Sequence, residues 1–338
     1  MSALSRIFSL SLACFTAISS FAQLQVSNDL DAQTLVNDFL LGSGVLIDNV
    51  TVAGSTLQYG AFINGEEAVS MADGMVLSSA VVTNIDPNIL TDSDLPFQTG
   101  IAGDNDLLSI ANLVPSYIGQ NFSILSAYDM CTLEFDFVPL ADSLSFNYVF
   151  GSDEYNEWVN TQFNDMFAFF ISGPGISGQY GAPEGFPNGA KNIAFVPGFE
   201  PELPITVSSI NNQLNPDYYI DNEVNEAISI DGYTTVLTAS AENLIVGETY
   251  HIRLSIADGS DSAFESIVML EGGSFSCYES IGEAFGAGDL DGNSELDVDD
   301  LLLLLGDLGC EGLECIGDLD GDGIVTVMDI LFFLGLFN

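Results

Sequence analysis

The chain has 338 residues, with 49 Asp and Glu against three Lys and Arg and one His, a formal net charge of −46. Nucleic acid and anionic membrane surfaces are excluded as partners, because both are held by clustered Lys and Arg. At 47% hydrophobic residues the chain is no disordered acidic tail either. Cations are the natural partners of such a surface. Bound divalent ions, a salty medium or both are expected to offset its self-repulsion.

Residues 1–22 read as a secretory signal peptide. Arg6 precedes an apolar run, Ile7 to Ile18, too short to span a bilayer, and Ser20-Phe21-Ala22 leads to a cut at Gln23. A lipoprotein cut at Cys14 is the alternative. No later stretch is apolar for long enough to cross a membrane, so the expected location is secreted, extracellular or at the cell surface. Cys131, Cys277, Cys310 and Cys315 remain after cleavage. Export favours disulfides: Cys310–Cys315 is the preferred bridge and Cys131–Cys277 the second. A zinc site is the rival, but it lacks C-x₂-C spacing and has only His251 to draw on.

Within 31–41, Leu35, Phe39 and Leu40 predict a short helix, capped by Asp31 and ended by Gly42-Ser43-Gly44. A second is predicted over 105–113. Most of what remains alternates with period two. Leu133, Phe135 and Phe137 alternate with Glu134 and Asp136. Leu144, Phe146, Tyr148 and Phe150 alternate with Ser145, Asn147 and Val149. Phe167, Phe169 and Ile171 keep the same phase, as do Tyr250, Ile252, Leu254 and Ile256 against His251, Arg253 and Ser255. About ten such half-buried strands and two minor helices predict a mainly β domain over 23–275, an antiparallel β-sandwich. His251, on the polar phase, is expected to be exposed.

Residues 276–288 read as a linker. An internal repeat follows: 289–309 aligns without gaps on 318–338, matching at nine of twenty-one positions with a period of 29. Each copy opens with spaced oxygen donors. Asp289, Asp291, Asn293, Asp297 and Asp300 occupy loop positions 1, 3, 5, 9 and 12, as do Asp318, Asp320, Asp322, Thr326 and Asp329. The carbonyls of Glu295 and Ile324 would serve position 7. A hard cation such as Ca²⁺ takes six to eight oxygens, and this spacing wraps a loop around one ion. Two Ca²⁺ sites are therefore expected, each followed by an apolar helix. The pattern resembles the dockerin type I module over 289–338, an EF-hand-like pair of loop-and-helix motifs. The resemblance implies docking onto a cohesin-like or other cell-surface protein. Positions 10 and 11, the usual contact positions, hold Val298-Asp299 and Val327-Met328 in place of the familiar Ser/Thr pairs. The Cys310–Cys315 insertion is a further departure.

In the large domain the runs Phe150-Gly151-Ser152-Asp153-Glu154-Tyr155-Asn156-Glu157-Trp158 and Ile256-Ala257-Asp258-Gly259-Ser260-Asp261-Ser262-Ala263-Phe264 stand out. With Asn164 to Gly175 and Thr249 to Leu254 they resemble the choice-of-anchor L domain of secreted bacterial proteins, over residues 30–275. That resemblance implies a shared N-terminal domain followed by a variable attachment signal, and it carries no established catalytic residues. Asp153, Glu154, Asn156, Glu157, Asp165, Asp258 and Asp261 cluster at strand ends. They define a possible second cation or ligand site, with Trp158 beside it for glycan contact; solvated loop acids are the alternative. Two functions compete. One is a secreted calcium-binding surface or matrix protein for adhesion or recognition, with glycans as possible ligands. The other is a polysaccharide-degrading glycoside hydrolase, which needs only two suitably separated carboxylates.

Overall fold

The computed structural model describes residues 23–87, 99–223, 228–278, 290, 298–310, 315–319 and 323–335. Among the described residues fourteen strands run β1 (Gln25–Ser27), β2 (Val45–Ala53), β3 (Tyr59–Ile63), β4 (Asp73–Ser78), β5 (Ala127–Pro139), β6 (Ser143–Ser152), β7 (Met166–Ser172), β8 (Lys191–Asn192), β9 (Tyr219–Asp221), β10 (Gly232–Thr234), β11 (Leu237–Ala241), β12 (Tyr250–Gly259), β13 (Ser266–Glu271) and β14 (Ser276–Tyr278). They form two antiparallel sheets. The larger has the order β1-β3-β4-β13-β6-β10-β9, with β11 and β14 also paired to β6. The smaller is β2-β5-β12-β7-β8. The mainly β, antiparallel architecture matches the alternating patterns. The strands beyond the expected ten are mostly two or three residues long, too short to show a period. β14 also carries the larger sheet past residue 275, pairing Cys277 with Leu144.

The sheets pack face to face through the inward phases of their strands. Cys131, Leu133, Phe135 and Phe137 on β5 and Ile252, Leu254 and Ile256 on β12 meet Leu144, Phe146, Tyr148 and Phe150 on β6. Aromatic rings cross the gap: Phe146 lies 5.0 Å from Phe169, Tyr148 4.9 Å from Phe169, and Phe150 5.0 Å from Phe167. Each fully buried Phe contributes about 1.5–3 kcal/mol over an exposed one, so this seam dominates the cohesion of the two sheets.

The predicted helix at 31–41 is α1 (Ala32–Leu35) continuing as a π turn, Val36–Leu40. Asp31 caps it, accepting the Thr34 amide at 2.8 Å. The second is α3 (Asn105–Ala111); α2 (Glu66–Val69) comes earlier in the chain, and α4 (Val114–Tyr117) follows, with Pro115 inside its first turn. Near the C-terminus stand α5 (Val298–Gly306) and α6 (Val327–Gly335), which contact each other around Leu304, Val325 and Phe333.

Cys310 and Cys315 form the expected disulfide. The pairing Cys131–Cys277 is not formed: both are buried free thiols. They sit on different sheets, Cys131 on β5 with its sulfur facing Gly54, Cys277 on β14. Burial pushes the Cys131 thiol up to about 12, so it behaves as an apolar core group. His251 is also not exposed. It is 8% accessible, held between Glu134 and Asp136 of β5.

Candidate functional site

The inward phase of several strands does not stop at the aromatic seam. One step beyond Cys131 on β5 lies Asp129. One step before Phe167 on β7 lies Asp165, and one step beyond Ile256 on β12 lies Asp258. On the larger sheet the same step reaches Ser79 after β4, Ser152 on β6 and Ser266 on β13, all buried. Antiparallel pairing brings these ends together, since Ser266 pairs with Ser152 and Asp258 with Tyr128. The aromatic core is therefore capped at one end by a layer of oxygen atoms drawn from both sheets.

Hydrogen bonds fix this layer. Ser266 donates its hydroxyl to Asp165 Oδ2 at 2.6 Å, and the Gly259 amide donates to Oδ1 at 2.8 Å. Gly259 has no room for a side chain, because a Cβ there would stand 2.7 Å from the Asn164 carbonyl oxygen. Asp129 Oδ1 accepts the Thr99 amide and hydroxyl, at 2.6 and 2.9 Å. Glu154 has its amide tied to the Ser152 hydroxyl at 3.0 Å, which turns the chain back into the layer as β6 ends. Asp153 accepts the Asp231 amide at 3.1 Å, and Glu265 accepts from the Asn84 side chain.

Several carboxylate oxygens in this layer have no hydrogen-bond donor: Asp258 Oδ1, Glu154 Oε2, Asp129 Oδ2 and Glu265 Oε2. Burial pushes the Asp258, Glu154 and Asp165 carboxyls above their ordinary values, and their mutual repulsion pushes further. Burial raises Glu265 to about 7 against the opposing bond from Asn84.

Of the seven residues singled out from the sequence, the structure draws Glu154, Asp165 and Asp258 into one pool. Half-buried Asp261 lies beside it, accepting the Ala263 amide at 3.1 Å. Asp153 is buried and accepts the Asp231 amide, Asn156 keeps a buried side-chain oxygen without a donor, and Glu157 is exposed. Trp158 is half-exposed and leans on Phe163 at 5.1 Å. Asp129 and Glu265 were missed. Asp129 was legible as the next inward position of β5, whereas Glu265, the residue before β13, falls out of the inward phase and carries no such signal.

The choice-of-anchor L domain matches residues 24–276, which includes every residue of this layer. The chain belongs to that family. No curated protein and no solved structure matches it.

Outside the choice-of-anchor L domain, the candidate tail ligands Asp289, Asp291, Asn293, Glu295, Asp297, Asp320 and Asp322 lie outside the described residues. The described ones show a repeated bond. Leu290 donates its amide to Asp300 Oδ1 at 2.7 Å, and one period later Leu319 donates to Asp329 Oδ1 at 2.8 Å. Each loop thus closes from its second position onto its twelfth. Asp318 Oδ2 accepts the Gly323 amide at 2.9 Å, and Asp329 Oδ2 accepts the Thr326 amide at 2.7 Å. Among the described residues, no group of three or more His, Cys, Asp or Glu is arranged to hold a metal ion, and no helix is long and apolar enough to cross a membrane.

Proposed function

We propose that the protein is a secreted, calcium-binding surface or matrix protein. Its choice-of-anchor L sandwich supplies adhesion or recognition, and its C-terminal repeat supplies attachment as a dockerin-like module. The reading is carried by the matched register of α5 and α6. Asp300 and Leu304 are buried in one, Asp329 and Phe333 in the other, while Val298, Leu302 and Leu305 face outward as do Val327, Leu331 and Leu334. That spacing lines one exposed apolar face on each helix, and exposed apolar faces mark contact surfaces.

Asp289, Asp291, Asn293, Asp297 and Asp300 would hold one Ca²⁺, with the Glu295 carbonyl. Asp318, Asp320, Asp322, Thr326 and Asp329, with the Ile324 carbonyl, would hold the other. The closing bonds onto Asp300 and Asp329 fit loops that converge on their last acid. Bound calcium would supply the positive charge that lets these acids stand together. For glycan recognition the sandwich offers a cavity of about 620 Å³, where Phe195 and Phe199 stand beside Lys191, Glu202, Glu242 and Asn243. Its size suits a small ligand, and its mix of rings and polar groups suits a sugar.

The test uses the mature full-length chain. Asp289→Ala with Asp318→Ala is expected to lower helix content by circular dichroism to the level of EDTA-treated wild type, in millimolar Ca²⁺. Leu302→Asp with Leu331→Asp should keep calcium uptake but release the protein from its cell surface or matrix. Helix content indifferent to both EDTA and the loop substitutions would overturn the calcium-module reading.

A further inference from the structure

The acid pool at the end of the sandwich is a second, independent candidate for an ion, and among the described residues no basic side chain neutralises it. The described residues hold three basic side chains, and each is committed elsewhere. Lys191 pairs with Glu202 at 3.3 Å. Arg253 reaches Asp104 and Asp106, both at 2.6 Å. His251 Nδ1 lies 2.8 Å from Asp136. All three are accounted for away from Glu154, Asp165 and Asp258.

The pool is also built rather than incidental. Glu154 and Asp258 are 1% and 2% accessible, and each turns an oxygen without a donor into the layer: Oε2 of Glu154 and Oδ1 of Asp258. They come from opposite sheets. Glu154 follows β6 of the larger one, and Asp258 lies on β12 of the smaller. Asp165 belongs to the same pool, its two oxygens already oriented by Ser266 and Gly259. A buried carboxylate is costly to keep charged, so it either takes up a proton or gains a counter-charge. A donor set made only of carboxylate, hydroxyl and carbonyl oxygens suits a hard divalent cation and not zinc or copper. Ca²⁺ also accepts neutral oxygens and water, so two carboxylates suffice without a finished shell of three.

We propose that Glu154 and Asp258 hold one Ca²⁺ inside the choice-of-anchor L sandwich, and that this ion ties the two sheets together at the end where the aromatic seam stops. The inference does not depend on the tail loops. It gives the sandwich calcium dependence of its own, so that the recognition domain and the attachment module would both be set by extracellular calcium.

The experiment starts from the full-length Asp289→Ala, Asp318→Ala chain, in which the tail loops lack their first ligands. Equilibrium dialysis against CaCl₂ with elemental analysis is expected to find one Ca²⁺ per chain, and added CaCl₂ should raise the melting temperature of the sandwich. Adding Glu154→Gln and Asp258→Asn should weaken that binding by at least about tenfold and abolish the calcium-induced rise. Should the double change prevent folding, Glu154→Gln alone carries the affinity measurement. Terbium, replacing calcium, should also luminesce through buried Tyr155 in the tail-substituted chain. Absence of calcium uptake by that chain, or uptake and a melting shift that survive Glu154→Gln, overturns the site. Failure of the tail reading would show instead as equal uptake by wild-type and tail-substituted chains, which leaves the sandwich result intact.

Discussion

Ser266 opens β13 in the larger sheet and gives its hydroxyl at 2.6 Å to Asp165, which stands just ahead of β7 in the smaller one. It is a direct polar bond between the two sheets at the point where the aromatic seam ends. Both residues are fully buried, so water cannot substitute for either.

Ser266→Ala should therefore remove more than an average hydrogen bond. It leaves Asp165 Oδ2 buried without its donor, a loss of about 1–3 kcal/mol. Urea denaturation should show the midpoint falling with unchanged slope. Ser266→Cys keeps a weak donor of similar size and should recover part of the loss. A midpoint unaltered by Ser266→Ala would mean that the bond contributes nothing to holding the sheets.

His251 gives the second prediction. Burial works against its charge, but the bonds to Glu134 and Asp136 outweigh that, so its pKa is raised from 6.5. In return the bond from His251 is the main cause that lowers the Glu134 carboxyl from 4.5. A raised histidine stabilises the fold fully below the unfolded value and loses that contribution as pH rises through the folded one. A depressed Glu134 stabilises above its unfolded value and loses it as pH falls. The pairing is therefore strongest between these limits. The acid pool loses protons in the upper range as well, so the useful readout is a difference. Wild type minus His251→Gln should shrink steadily as pH climbs above about 6.5. A difference that stays flat from pH 6 to 9 would rule out a charged His251.

How far the sequence revealed this molecule depends on whether its signal was periodic. Phe146, Tyr148 and Phe150 announce their strand and its inward face without help, as do Phe167, Phe169 and Ile171. The same phase, extended by one step, lands on Asp165 and Asp258, and so marks the oxygen layer. The phase does not say which strands are neighbours. That Glu154 and Asp258, and not Glu157, share the pool depends on β6 and β12 finishing at the same end of the sandwich, a fact of topology. His251 misled because the polar phase of β12 is covered by Glu134 and Asp136 with Phe186 beside it, 5.8 Å from the ring. Cys131 and Cys277 misled because strand phase does not say how far apart two inward-facing cysteines lie in the fold. The equally spaced acids of the tail, by contrast, needed no topology. The bonds Leu290–Asp300 and Leu319–Asp329 repeat at the period that the letters themselves repeat.

The surface as a whole makes the last prediction. A formal charge of −46 with only three Lys and Arg leaves most acids facing others of their kind. In the compact state they are closer together than in the unfolded chain, so repulsion destabilises the fold, and salt relieves it. The Debye length falls from about 10 Å at 0.1 M to about 3 Å at 1 M, which spans the separations between neighbouring surface carboxylates. With EDTA present to remove any calcium contribution, the melting temperature of the sandwich should climb as NaCl rises from 0.1 to 1 M. A gain of about 1–2 kcal/mol would read as roughly 2–8 °C in a domain this size. Screening also weakens the ion pairs of Arg253 with Asp104 and Asp106, which pulls the other way. These are few and largely shielded, with Arg253 stacked 4.2 Å over the Phe170 ring. Repulsion among the many acids therefore prevails, and a melting temperature that falls with NaCl would contradict that balance.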